Sequence, residues 1–220
     1  MKVLLRFLTR GGLVVTLFLV LVGVMAEDTS HRTTPAAQAA TPAAQAARLP
    51  ADRFMGREDA SVTVIDYSSL TCPHCADFHT QILPRFKTHY IDSGKVKFIY
   101  RDFAVDPVAT AGAMLARCAP LDMYFHFLGT LFSSQKTWSR ASQPRRALVH
   151  LAQMGGMTET EVNQCLSDPA LLADLNAIKN EAIGMHGITA TPSFVIGGRT
   201  YVGIASYEAL VSLVERELNK

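Results

Sequence analysis

Apolar and polar residues alternate along Ser61-Val-Thr-Val-Ile-Asp-Tyr67, the period of a β-strand rich in branched side chains. The period then changes: Phe78, Ile82, Phe86 and Tyr90 recur every four residues and predict a helix that Pro84 interrupts and kinks. Lys95-Val-Lys-Phe-Ile-Tyr-Arg-Asp-Phe103 reads as a second strand. From about 106 to 185 the pattern is helical throughout. Asp106-Pro107 supplies an N-cap and first-turn pair before Val108, Ala111, Leu115 and Cys118. Tyr124, Phe127, Leu131 and Gln135 mark the next helix, and Leu148 with Leu151 the one after. Thr158 and Glu161 form a capping-box pattern, and Asp168-Pro169 opens a helix lined by Leu171, Leu175, Ile178 and Ala182. Strands return at Ser193–Ile196 and Arg199–Val202 across a Gly197-Gly198 turn. Ser206 to Leu218 predicts a closing helix with Leu210, Leu213 and Leu218 inward. The fold class is therefore α/β with an all-helical insertion. Within it, Trp138 is expected to pack in the insertion's core, against the alternative of a substrate platform, and Met154, Met157 and Met185 to fill core space, against the alternative of lining a groove.

The first 50 residues follow a different rule. Lys2, Arg6 and Arg10 precede a run without charge, Gly11 to Ala26, the layout of a secretory signal at 1–26. Sixteen residues of helix span roughly 24 Å, short of the ~30 Å hydrocarbon core. An uncleaved membrane anchor extended by Phe7 and Leu8 is the competing reading, and either one puts the domain outside the cytoplasm, in a periplasm or its equivalent. Residues 27–50 carry the tandem heptad Thr-Pro-Ala-Ala-Gln-Ala-Ala, with no large apolar residue to bury, and read as a semi-stiff linker. The folded part is then 51–220.

Charge narrows the partners. The whole chain has 21 basic and 19 acidic residues; without the three cations of the head, eighteen bases face nineteen acids. That balance argues against general nucleic-acid binding.

Cys72-Pro-His-Cys75 carries the candidate chemistry. A C-x-x-C pair suits either a redox dithiol or half of a zinc site. Zinc needs a second ligand pair, and no further C-x-x-C or H-x-x-x-H is present, so no metal or organic cofactor is expected. Placement also points to redox chemistry. Cys72 falls where a strand hands over to a helix, and the unpaired amides and positive dipole end there favour thiolate. His74 can add positive charge or a donor; its plainer reading is a solvated turn residue.

Cys-Pro-His-Cys after Val-Ile-Asp-Tyr-Ser-Ser-Leu-Thr resembles the active-site segment of the DsbA family of thioredoxin-fold thiol:disulfide oxidoreductases. The resemblance spans about 52–220, including the helical insertion, and implies a thioredoxin fold with an inserted all-helical domain. Ala190-Thr-Pro-Ser193 resembles the family's cis-proline loop. The attacking cysteine of the family falls on Cys72, its buried partner on Cys75, the tuning pair on Pro73 and His74, and the substrate-facing loop on Thr191 and Pro192. An acid six residues before the first cysteine falls on Asp66, where many relatives carry Glu. The family's type member pairs a low thiol pKa with a strongly oxidising disulfide.

Physical roles can be assigned beside the resemblance. A cis Thr191–Pro192 bond would present the Thr191 backbone to an extended substrate, whereas a trans proline would simply open a strand. Asp66, if buried, could accept the Cys75 proton; facing solvent it would do nothing of the kind. Cys118 and Cys165, both in the insertion, suit a structural bridge in an oxidising compartment, against the alternative of two buried free thiols. The functional expectation is donation of the Cys72–Cys75 disulfide to reduced exported polypeptides, with a membrane re-oxidising partner of the DsbB type. An isomerase or reductase on the same fold, and a peptide-binding module with an inert Cys pair, are the alternatives.

Overall fold

The computed structural model describes residues 49–220; the basic head, the apolar run and the heptad repeat lie outside the described residues. A five-stranded mixed sheet runs in the order β1-β3-β2-β4-β5. β2 (Val62–Ser68) and β3 (Val96–Asp102) lie side by side and parallel at its centre, so a helical crossover must join them. β4 (Ser193–Ile196) runs antiparallel to β2, and β5 (Arg199–Val202) antiparallel to β4. Gly197 and Gly198 make the hairpin turn at φ 57° and 74°, the left-handed geometry that a two-residue turn between twisted strands requires. The edge strand β1 (Arg53–Met55) pairs antiparallel with β3 and was not foreseen, because three residues are too few to display an alternation.

The crossover between β2 and β3 is broken into α1 (Pro73–Asp77), a π-helical turn Phe78–Ile82, α2 (Leu83–Phe86) and a second π turn Lys87–Ile91. The interruption expected at Pro84 takes this form. Proline offers no N–H, and the turn before it has already widened, with the Leu83 N–H donating to the Phe78 carbonyl five residues back.

The helical run comprises α3 (Pro107–Cys118), α4 (Tyr124–Ser133), α5 (Gln135–Ser139), α6 (Pro144–Met154), α7 (Glu159–Leu166) and α8 (Pro169–His186). Its starts follow local capping chemistry. Asp106 accepts from the Ala109 N–H, Thr158 and Glu161 close a reciprocal capping box, and Asp168 accepts from Ala170 and Leu171. One boundary departs from the expectation: the helix of Tyr124 stops at Ser133, and Gln135 opens α5 instead. A disulfide joins Cys118 at the end of α3 to Cys165 on α7.

Strand alternation sorts the core. Val62, Val64, Phe98, Tyr100, Phe194 and Ile196 pack on one side with the crossover helix, the insertion and α9 (Tyr207–Leu218). Tyr67 and Val195 point the other way, against Ile178 and Ala182 of α8. On α9 the buried residues are Leu210 and Val214; Leu213 and Leu218, expected inward, lie at the margin and are only partly covered. Trp138 is buried and its indole N–H donates to the Leu131 carbonyl at 2.7 Å. Met154 and Met185 correct the core-filling expectation, at 65% and 76% exposure, because each sits at the C-terminal end of its helix beyond the last packed turn. Met157 is partly buried.

Candidate active site

The site forms where β2 ends and α1 begins. Cys72 is the N-cap of α1, in extended conformation, with Pro73 in the first turn, where its missing N–H costs no hydrogen bond. One turn later Cys75 lies beneath the helix with no exposed surface, while Cys72 is half-buried and Pro73 and His74 are exposed. Both thiols are free. The Cys72 Sγ approaches the Thr191 carbonyl at 3.4 Å, which sets the Thr191–Pro192 loop directly against it. The peptide bond between Thr191 and Pro192 is cis.

The two sulfurs are electrostatically unlike. The Cys75 thiol beside it is the main influence drawing the Cys72 pKa down to about 5, helped by the Thr191 side chain and the backbone N–H groups of Cys75 and His74, and opposed by partial burial. Cys75 moves the other way. Burial raises its pKa most, followed by its hydrogen bond to Cys72 and the nearby Asp66 charge, with the Ser68 side chain partly offsetting them. The Ser69 N–H also points at the Cys75 sulfur, at 3.4 Å.

Beneath the cysteines, Asp66 sits in phase with Val62 and Val64 on β2 and is fully buried, in register with Tyr100 and Phe194 of the flanking strands. It accepts a hydrogen bond from Ser68 Oγ at 2.6 Å and pairs with His79 Nε2 at 2.8 Å. His79 belongs to the first π turn, and its ring stacks on Phe132 with centroids 4.0 Å apart.

The helical insertion grips the loop from the far side. Gln135 donates to the carbonyls of Leu70 and Cys72 at 2.9 and 2.8 Å, and Thr71 Oγ1 donates to Asp106 at 2.5 Å. Asp106 therefore caps α3 and holds the residue before Cys72 at once. Among the described residues no group of three or more His, Cys, Asp and Glu side chains is placed to hold a metal ion.

The thioredoxin family profile matches residues 48–216, and the geometry agrees with it: a C-x-x-C at the strand–helix junction, a facing proline loop and a helical run inserted between β3 and β4. The chain belongs to the DsbA family of the thioredoxin fold. A putative protein-disulfide oxidoreductase of Rickettsia bellii is 33% identical over 148 residues, 67% of this chain and 57% of that protein. The chain thus spans less than two thirds of that relative's length. The crystal structure of alpha-DsbA1 from Wolbachia pipientis matches with a TM-score of 0.72 and 29% identity, over 78% of this chain and 94% of the other. A protein-disulfide isomerase from Novosphingobium aromaticivorans matches at a TM-score of 0.67 and 25% identity, covering 78% and 100%.

In this DsbA-family site the fold brings together Cys72, Cys75, Asp66, Thr191 and Pro192; Pro73 and His74 remain at the exposed end of α1. Cys118 and Cys165 are bonded to one another within the insertion. Sequence reasoning overlooked Ser68, His79, Gln135 and Asp106 as parts of the site. For His79 a signal existed, since it follows Cys72 by seven residues, about two helical turns. Gln135 had none, because its partners lie 65 and 63 residues away.

Proposed function

We propose that the protein is a thiol:disulfide oxidoreductase that donates the Cys72–Cys75 disulfide to reduced exported polypeptides during oxidative folding. The observation that carries this reading is the placement of half-buried Cys72 as the cap of a helix, 3.4 Å from the Thr191 carbonyl and above a fully buried Cys75, a setting that draws the Cys72 pKa down and raises that of Cys75. A stabilised thiolate favours the reduced form, which makes the disulfide a better oxidant.

In the forward reaction a substrate thiolate attacks the Cys72 sulfur, the only one of the pair that solvent reaches. The S–S bond breaks, Cys75 leaves as a thiolate and takes up a proton, and a mixed disulfide links Cys72 to substrate. A second substrate thiolate then attacks the substrate sulfur and expels Cys72, a good leaving group because its pKa is low. Thr191, beside the Cys72 sulfur, offers backbone to an extended substrate segment, with Pro192 buried behind it. Asp66 exchanges the Cys75 proton, and His74 stands exposed at the mouth. A membrane partner of the DsbB type would restore the disulfide, and the basic, then apolar, head supports an extracytoplasmic location.

The comparison that tests this sets oxidation of a reduced, unfolded protein against rescue of its scrambled form. Fast oxidation with poor rescue is expected. Efficient rescue with slow oxidation would assign the site to isomerisation, in keeping with the name of the Novosphingobium relative.

A further inference from the structure

We propose that the buried imidazole of His79 is the partner of Asp66 in holding a proton, and that the pair exchanges this proton with Cys75 through the Ser68 hydroxyl. The inference rests on the exchange chemistry proposed above. Its geometry is a hydrogen-bonded run from Ser68 through Asp66 to His79 in an otherwise aromatic core, beneath the buried Cys75. Ser68 Oγ donates to one Asp66 oxygen at 2.6 Å, the other Asp66 oxygen meets His79 Nε2 at 2.8 Å, and the Ser69 N–H points at the Cys75 sulfur at 3.4 Å. The Ser68 side chain is also among the groups that act on the Cys75 thiol, easing the rise in its pKa. The Asp66 side chain is 0% exposed and that of His79 4%.

The ring is held in place. Phe132 of α4 stacks on it at 4.0 Å with planes 14° apart, and Tyr100 of β3 and Phe78 meet it edge-on at 5.5 and 5.4 Å. These contacts leave Nε2 aimed at the carboxylate. A buried carboxylate–imidazole pair gives little net stability, because desolvation offsets the attraction. Its place one hydroxyl away from a reacting thiol gives it chemistry to perform. The ionisable groups around the pair are Cys75 on α1, Tyr100 on β3 and Tyr124 on α4; Asp102, further along β3, is paired with Arg117 of α3 at 2.6 Å.

The step balances without any outside reagent. When Cys75 attacks a mixed disulfide at Cys72, its S–H bond breaks and its electron pair forms the Cys72–Cys75 bond. The departing thiol carries away the other electron pair. The proton passes to Ser68 Oγ as Ser68 releases its own proton to Asp66, and the Asp66–His79 pair ends with one proton more. Substrate oxidation runs the same path in reverse, returning the proton to the Cys75 thiolate. His79 is thus a positioning residue that acts through Asp66.

His79→Gln keeps a donor for Asp66 but cannot accept a proton; His79→Leu removes both functions. The reduced protein is mixed with an aromatic disulfide: attack by Cys72 releases one absorbing aromatic thiolate and leaves a mixed disulfide, and resolution by Cys75 releases the second. Stopped-flow absorbance then resolves two phases, attack by Cys72 and resolution by Cys75, between pH 4 and pH 9. The second phase should slow about ten-fold at pH 7 in both variants, as its inflection moves up by roughly one pH unit. The first phase should stay within about two-fold of wild type, since Cys72 contacts neither residue of the pair. Adding Asp66→Asn to His79→Gln should slow the second phase no further than Asp66→Asn alone, the mark of residues that work as a unit. Wild-type second-phase profiles in both His79 variants would overturn the proposal. Equal slowing of both phases would also overturn it, by reducing His79 to a support for the helix. A wild-type protein without a fast first phase would remove the exchange reading itself, and the role of His79 with it.

Discussion

Lowering the pH from 7 to 4 should weaken the preference of the Cys72–Cys75 pair for its reduced form, and the size of the change follows from one thiol. At pH 7 a thiol with a pKa of about 5 is ionised to about 99%, an unperturbed one of ~8.5 to about 3%. Reduction of the disulfide therefore releases a proton above pH 5, and two glutathione thiols consumed in the exchange have no such proton missing. The sign follows from this balance. Rising pH pulls the equilibrium towards reduced protein, and falling pH through about 5 abolishes the bias. A full depression of the pKa would change the equilibrium constant about 90-fold between pH 4 and pH 7. Cys72 is only half-buried, so water screens its thiolate, and roughly ten-fold is the expected change. The same group helps the folded reduced protein above ~8.5 in full, and that help fades as pH falls through about 5. Equilibration with glutathione mixtures at each pH, followed by acid quench and alkylation, gives the ratio of the two forms. Thiolate absorbance near 240 nm gives the pKa independently. A ratio that stays flat from pH 4 to 7, with an absorbance midpoint near 8.5, would refute the reasoning.

Three further outcomes are expected. Cys75→Ala should accumulate a mixed disulfide through Cys72 on incubation with a disulfide substrate, seen by mass spectrometry, because the resolving thiol is gone; trapping by Cys72→Ala instead would reverse the roles. Replacing Cys118 and Cys165 by Ala opens a link across 47 residues of sequence and should cost about 4 kcal/mol by loop entropy, read in urea unfolding, while thiol exchange at Cys72 persists. Gln135→Leu strands the buried Leu70 carbonyl, at ~1–3 kcal/mol, and takes one of two donors from the Cys72 carbonyl, which keeps the Ala76 N–H; it should lower the melting temperature and displace the Cys72 thiolate absorbance midpoint, and an unaltered midpoint would show that the grip of α5 does not tune the site.

Features encoded within a few residues were legible in the chain before any fold was known. The strand alternation through Tyr67, the N-caps at Asp106 and Asp168, the capping box of Thr158 and Glu161 and the Gly197-Gly198 turn all depend on neighbours at most three positions away. The junction of strand and helix at Cys72 belongs to the same class, which is why the candidate redox pair could be found at all. Short-range patterns also failed where the element was too small, as with β1, or where a helix end lay beyond the packed stripe, as with Met154 and Met185. What surrounds the sulfurs was decided at longer range. The alternation of β2 offers two faces, and only packing of the crossover helix on one of them buries Asp66 under Cys75. The π turn and the Phe132 stack then bring His79 to that carboxylate, and α5 brings Gln135 to a loop more than sixty residues earlier. A buried polar atom must find its partner wherever the fold supplies one, and sequence distance places no limit on where that is.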